Sequence, residues 1–384
     1  MIKILFLLLI LSISSCTETY NDTLSLKRSD KEISFSLMDD VKMPFASIFP
    51  FEENGEDYIS FQNFPKSEIL IYSVNTGALV KKVMVETEGN NAVVSGFGGY
   101  YIMDMNHIFV PNLGVATICV MDTTATIRQR IDYSKTEQGQ RLIPFIPDYK
   151  SQMTFVGDSL YVPQTLNGML GKKTIEESPI RIVIDTTNKK VSTLPMKFPP
   201  LITNKDLGTN AAFGMGYSSC YNGHSFIYSF CSDDYLYTTG LAHNQVTKVK
   251  AHSRYIRKTE VFRSNENNFQ KMIKAQCEHA AYGKIMYDKY RDVYYRFVYP
   301  TCEIDDYSGD YVELLRSGRK KNSVMILDRD LNVVGETLLP DYTYNPNLSF
   351  VLEDGLYISL NHIMNPTYTD DRLCFQRFEL VKNK

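Results

Sequence analysis

The chain of 384 residues carries 41 Lys and Arg against 44 Asp and Glu, a formal net charge of -3, so no basic field draws it to nucleic acid. Its length allows a sizeable core in one domain or two. The 26 Tyr and 21 Phe, with no Trp at all, suit half-buried strands and wet sheet edges and point to a β-rich body.

At the N-terminus, Lys3 precedes an apolar run from Ile4 to Ile13 that ends at Ser14-Ser15-Cys16. This is a positive n-region, a short h-region and small residues before a cleavage point. About ten apolar residues are too few to span a bilayer as a helix. Ile13-Ser14-Ser15-Cys16 resembles a bacterial lipobox, in which the chain is cut just ahead of the cysteine and the thiol is acylated, for example with palmitate. On that reading residues 1–15 are a lipoprotein signal peptide and Cys16 is the lipidated first residue. Residues 16–30 are then a leader, and 31–384 a single domain. An ordinary secretory peptide with an incidental Cys16 is the competing reading. No later stretch of eighteen apolar residues occurs, so the bilayer is reached only through the lipid.

Glu32 to Leu37 alternates like a strand but has no local partner. After it comes a recurring unit of two hairpins, recognised by alternating runs of Val, Ile, Tyr and Phe with turn residues between them. The first hairpins are Ala46–Phe49 with Tyr58–Phe61, Tyr100–Met103 with Ile108–Val110, and Met153–Val156 with Leu160–Val162. They continue as Met215–Tyr221 with Phe226–Phe230, Lys284–Tyr287 with Val293–Val298, and Leu348–Leu352 with Leu356–Leu360. Asn222-Gly223 and Asp354-Gly355 supply steps where a type I′ turn wants positive φ. The second hairpins are Ile69–Val74 with Val80–Val85, Thr117–Met121 with Ile127–Ile131, and Arg181–Ile184 with Val191–Leu194. Tyr235–Thr238 with Gln245–Val249 and Ser323–Leu327 with Val333–Leu338 follow. The sixth unit ends on the single run Arg372–Phe378.

One strand missing at the end and one spare at the start predict an all-β, six-bladed β-propeller with four-stranded blades. The N-terminal strand then closes the last blade, which also removes exposed sheet edges. Extra length falls in connections, chiefly Leu166–Ser178, Pro199–Ala212 and His252–Ala281. In the last of these, Phe269, Met272, Ile273 and Cys277 recur at helical spacing and predict a short amphipathic helix between Asn267 and Ala280, packed on a neighbouring blade. The glycines of Gly208–Tyr217 lack the Lys-Ser or Lys-Thr of a P-loop and read as close strand packing. Six cysteines besides Cys16 show no zinc spacing. Cys220 with Cys231, and Cys277 with Cys302, flank hairpins and are read as bridges or as buried free thiols.

Aligned hairpins put Asn63, Asn112, Gln164 and Asn361 directly after their second strands, where four carboxamides could ring the channel mouth and meet a hydroxyl-rich or peptide ligand. The same side chains also fix turns through the backbone. Arg296 stands inside the aromatic strand Val293–Tyr299, so it needs an acidic partner, for which Asp288 and Asp292 are candidates, or an aromatic face or an anionic ligand. The six histidines are scattered with no HxxxH, the acidic doublets lack EF-hand order, and no GxSxG elbow is present. No metal or cofactor is expected.

Three features carry a resemblance: the lipobox at Cys16, the turn Tyr72-Ser73-Val74-Asn75-Thr76-Gly77, and the run Tyr287–Arg296. Together they look like the uncharacterised six-bladed propeller lipoproteins of gut Bacteroides and their relatives, over the whole mature chain. That resemblance implies a cell-envelope protein, and Thr17–Asp22, with no Asp next to the cysteine, is similar to outer-membrane lipoproteins. It brings no established activity, cofactor or site. The expected function is a lipid-anchored binding or scaffold module presenting a propeller face to a glycan, peptide or envelope protein. The alternative is a hydrolase or lyase at the channel mouth, which requires Arg296, a neighbouring Asp and a His to share one concave pocket.

Overall fold

The computed structural model describes residues 22–42, 48–142, 150–164, 176–199, 216–262, 264 and 266–383. Among them, 24 strands form six antiparallel sheets of four. Blade 1 holds β2 (Phe49–Glu53), β3 (Glu56–Asn63), β4 (Glu68–Ser73) and β5 (Leu79–Met84), and blade 2 holds β6 (Tyr101–Asp104), β7 (His107–Pro111), β8 (Thr117–Met121) and β9 (Ile127–Asp132). Blade 3 holds β10 (Thr154–Val156), β11 (Ser159–Pro163), β12 (Arg181–Asp185) and β13 (Lys190–Thr193). In blade 4 are β14 (Tyr217–Tyr221), β15 (Phe226–Phe230), β16 (Tyr235–Thr239) and β17 (Val246–Lys250). Blade 5 is made of β18 (Ala281–Asp288), β19 (Val293–Tyr299), β20 (Ser323–Leu327) and β21 (Val333–Leu338). Blade 6 combines β22 (Asn345–Leu352), β23 (Gly355–Ser359) and β24 (Arg372–Lys382) with β1 (Leu24–Ser36) from the other end of the chain.

The expected closure is present: β1 runs antiparallel to β24 from Leu24 opposite Lys382 to Ser36 opposite Arg372, with a bulge between Arg28 and Glu32. The strand starts inside the stretch expected as leader. Its early residues are held because Leu26 is buried between blades 5 and 6, and because Gly335 leaves room for the Leu24 carbonyl, which an added Cβ would meet at 1.9 Å. Cys16 and the signal peptide lie outside the described residues.

Blades bury both faces against their neighbours, so inner positions read as continuous apolar runs. Ser323–Leu327 is buried at every position. Six apolar clusters fill the six seams between successive blades, including the one that joins blade 6 to blade 1. At that joint Phe35 of β1 lies among Phe61, Tyr72, Phe350, Tyr357 and Phe375, with the Phe61–Tyr72 and Phe350–Tyr357 rings stacked. Each such ring contributes about 2 kcal/mol by leaving water, so the ends of the chain are joined by packing as well as by the ladder.

Three local expectations need correction. β2 begins at Phe49 and turns at Asn54-Gly55, both at positive φ (53° and 78°), rather than earlier; Ala46 and Ser47 lie outside the described residues. Gly355 is not in the left-handed region; its lack of a side chain instead admits the Phe378 carbonyl, which a Cβ would meet at 2.6 Å. The amphipathic helix exists as α1 (Phe269–Glu278), capped by Asn268, but Phe269 is exposed. It packs Met272, Ile273 and Cys277 with Leu314 of a second helix, α2 (Tyr311–Arg316), and with Ile304 and Tyr307, forming a small core of its own instead of lying on a blade. Most of the Gly208–Tyr217 segment lies outside the described residues, whereas all six cysteines from Cys119 to Cys374 are free thiols.

Candidate ligand cavity at the centre of the ring

The first strand of every blade faces the axis, and residues of all six line one cavity of about 330 Å³. Pro50 and Tyr101 come from blades 1 and 2, Thr154 from blade 3, Ser219 to Tyr221 from blade 4, Lys284 to Tyr287 from blade 5, and Ser349 to Val351 from blade 6; Gln152 and Met153 lead into β10. Two neighbouring inner strands are irregular. The ladder of β18 shifts between Tyr282 and Ile285, and that of β22 between Asn345 and Ser349. Bulges of this kind re-aim side chains. Gly283 permits the first, because a Cβ there would stand 2.9 Å from the Tyr299 ring. Lys284 sits in this bulge, buried, with its ammonium donating to the Ser349 carbonyl at 2.6 Å.

The remaining polar lining is neutral. Burial pushes the Cys220 thiol far up and raises the Tyr101 phenol, so both keep their protons at neutral pH and serve as weak donors, not as nucleophiles. No carboxylate lines the cavity among the described residues.

Behind this wall lies Arg181, at the start of β12, only 1% exposed. Its Nη2 donates to the Ser219 hydroxyl at 2.8 Å, and its Nη1 points to the carbonyls of Tyr161 (3.3 Å) and Gln152 (3.5 Å). The guanidinium lies over the Phe226 ring at 4.6 Å. Its Nε has no acceptor among the described residues, and no carboxylate pairs with it there. A buried donor left in this way costs about 1–3 kcal/mol. Two of the three residues that accept from Arg181 form part of the cavity wall. Sequence reasoning passed over Arg181, although an arginine in Ile180-Arg181-Ile182-Val183-Ile184 is the same anomaly that singled out Arg296.

Arg296 is placed quite differently. It is fully buried in the seam between blades 4 and 5, and donates from Nε to Ser229 (2.8 Å), from Nη1 to the Ala251 carbonyl (2.8 Å) and from Nη2 to the Asp233 carbonyl (2.7 Å). Tyr282 stacks on it at 3.4 Å. Burial pulls its pKa down to about 10, opposed by Tyr282, Asp234, Asp233 and Glu336. Asp288 and Asp292 are not its partners: Asp288 accepts from Arg291 and Tyr295, and Asp292 from Tyr287.

The four carboxamides are buried at the strand ends and none lines the cavity. Asn63 donates to the Asp40 carbonyl and to Glu68 and accepts from the Lys42 amide; Asn361 donates to the Arg372 carbonyl and accepts from Ser359 and the Cys374 amide. Gln164 donates to the Pro163 carbonyl, while the Asn112 Oδ1 has no partner among the described residues. Asn63 and Asn361 thus tie down the links they terminate. An Asp and a His do approach Arg296: Asp234 accepts from Tyr282 at 2.9 Å and lies 3.1 Å from Nδ1 of His252. None of the three lines the central cavity, and Arg296 has no exposed surface to offer a substrate. Among the described residues no group of three His, Cys, Asp or Glu side chains could hold a metal.

A family model described as "Domain of unknown function (DUF4221)" matches residues 19–338. The chain belongs to the DUF4221 family. It is similar to the crystal structure of a DUF4221 member from Bacteroides vulgatus, at 26% identity and a TM-score of 0.83, over 95% of this chain and all of that one (100%). A protein from Bacteroides fragilis, 11% identical with a TM-score of 0.53, shares the fold over 96% of this chain and 98% of its own. No curated protein matches the chain.

Proposed function

We propose that this DUF4221 protein is an envelope-anchored binding module. It is exported through residues 1–15, lipidated at Cys16, held at the outer membrane, and takes its ligand in the central cavity of the ring. The observation that carries the binding role is the convergence of all six inner strands on one cavity of mixed polar and apolar lining, with two of them bulged beside Lys284 and Ser349. A volume of about 330 Å³ is at the small end of ligand sites. It suits a small molecule, or a single unit of a glycan or peptide entering from a face, while a folded partner would have to use the outer surface. Closed propellers host many functions, and it is this site, not the fold, that favours binding.

Two experiments test the two halves separately. Growth with a labelled fatty acid should label the wild type and leave Cys16→Ala unlabelled; equal labelling would remove the anchor. For the cavity, thermal-shift screening of the purified protein against sugars, short peptides and small acids should give a saturable shift that Thr154→Trp, which fills the axis, abolishes. A shift that survives in Thr154→Trp would move the site elsewhere.

A further inference from the structure

We infer that the cavity selects a ligand bearing a carboxylate, recognised by the Ser219 hydroxyl under the positive charge of Arg181. The inference rests on the reading of the cavity as a ligand site and adds its chemistry.

Arg181 carries a full positive charge in a place where water cannot screen it, 1% exposed, and no described carboxylate neutralises it. In proteins such a charge is ordinarily paired, because an uncompensated buried ion is expensive. Arg296, one seam away, shows the ordinary solution: three short hydrogen bonds, a stacked ring, and Asp233, Asp234 and Glu336 close enough to act on its charge. Arg181 has one short hydrogen bond, to Ser219, two long ones to carbonyls, and an Nε with none. Arg181 therefore lacks the full set of partners that Arg296 has, and its one short bond goes to a residue of the cavity wall.

The geometry turns this deficit toward the cavity. Ser219 lines it, and accepting from Arg181 leaves the Ser219 hydroxyl hydrogen to donate to an incoming oxygen. The acceptor a donor of this kind prefers is an anion, since a charge-assisted bond is roughly twice as strong as a neutral one. The Lys284 ammonium, donating to the Ser349 carbonyl, stands on the wall formed by blade 5. The lining also supplies hydroxyl and amide groups at Thr154 and Gln152 that would hold the neutral part of the ligand.

Isothermal titration of the purified protein with succinate and a hexuronate, beside succinamide and the matching hexose, tests the inference. The carboxylates are expected to bind one per chain, with the neutral counterparts at least tenfold weaker. Arg181→Gln should weaken the carboxylates tenfold or more and bring the two classes together. Ser219→Ala, which removes one hydroxyl and keeps the Arg181 charge, should weaken the carboxylates several-fold, so the test survives if Arg181→Gln fails to fold. Equal binding of both classes, or binding of carboxylates unchanged in Ser219→Ala, would overturn the selection for charge while leaving the cavity as a site. If neither class binds, while a ligand that Thr154→Trp excludes is found among uncharged compounds, the inference falls and the cavity reading stands. If no ligand of any class depends on the cavity, both fall.

Discussion

Two seams of the same ring solve the same problem in opposite ways. Between blades 4 and 5, Arg296 is buried with every nitrogen bonded and an aromatic ring against its face; between blades 3 and 4, Arg181 is equally buried, also on an aromatic face, yet keeps an unsatisfied Nε and touches the cavity wall. Both side chains interrupt apolar strands and both bridge neighbouring blades. The difference lies in what surrounds them. Around Arg296 the links Cys231–Asp234 and Ala251–Arg254 supply carbonyls and carboxylates, and Glu336 accepts from Ser253, Ser323 and the Arg254 amide, so the seam is a closed polar network. Arg181 instead meets long carbonyl contacts and a lining hydroxyl. A fully satisfied buried cation fixes a structure, whereas an under-satisfied one beside a cavity is available to a ligand.

The contrast is sharpest if each arginine is removed. Arg296→Met should lower stability by about 3–5 kcal/mol in urea denaturation, because it leaves the Ala251 and Asp233 carbonyls and Ser229 without their donor in a dry seam. A loss under about 1 kcal/mol would mean that the network reorganises at little cost, and Arg296 would no longer serve as the structural reference.

A second, smaller effect comes from pH at the Arg181 seam. His243 is buried against Tyr161, Phe226 and Tyr228, donates from Nδ1 to the Leu241 carbonyl and accepts the Tyr228 hydroxyl on Nε2. Burial lowers its pKa to about 4, opposed by the Leu241 carbonyl and helped by Arg181. An unfolded histidine binds its proton below about pH 6.5 while the folded one refuses it, so stability falls as pH drops from about 6.5 toward 4. The loss reaches at most about 3 kcal/mol for this residue. His362, held by the Arg319 carbonyl and the Met364 amide, adds a similar loss in the same window. Urea midpoints measured between pH 7.5 and 4.5 should therefore decline, and less so in His243→Gln. A flat profile, or a decline that His243→Gln leaves unchanged, would remove the electrostatic description of this seam.

Most of the architecture is legible in the sequence because it depends on patterns that recur. Alternating runs gave the six hairpin units, and the unpaired run at residue 32 with the unpaired run at 372 gave the closure. What escaped is what depends on non-local contact. The start of β1 at Leu24 follows from a hole at Gly335, some three hundred residues away in the chain, and the partner of α1 is a second helix whose own pattern is too short to stand out. The carboxamides share a buried strand-end position away from the central cavity, and Asn63 and Asn361 are bonded to backbone carbonyls there. Arg296 and Arg181 present the same signal in their strands. Only the groups across each seam tell them apart, and those come from other blades.

Whether Arg181 is held for a ligand and not for the fold is tested most directly by urea denaturation of Arg181→Met without any ligand. Replacing an uncompensated buried cation with an apolar side chain of similar length should leave stability unchanged or raise it by about 1–3 kcal/mol. A loss of about 3 kcal/mol or more, equal to that of Arg296→Met, would show that both arginines do the same structural work and would contradict the distinction drawn between the two seams.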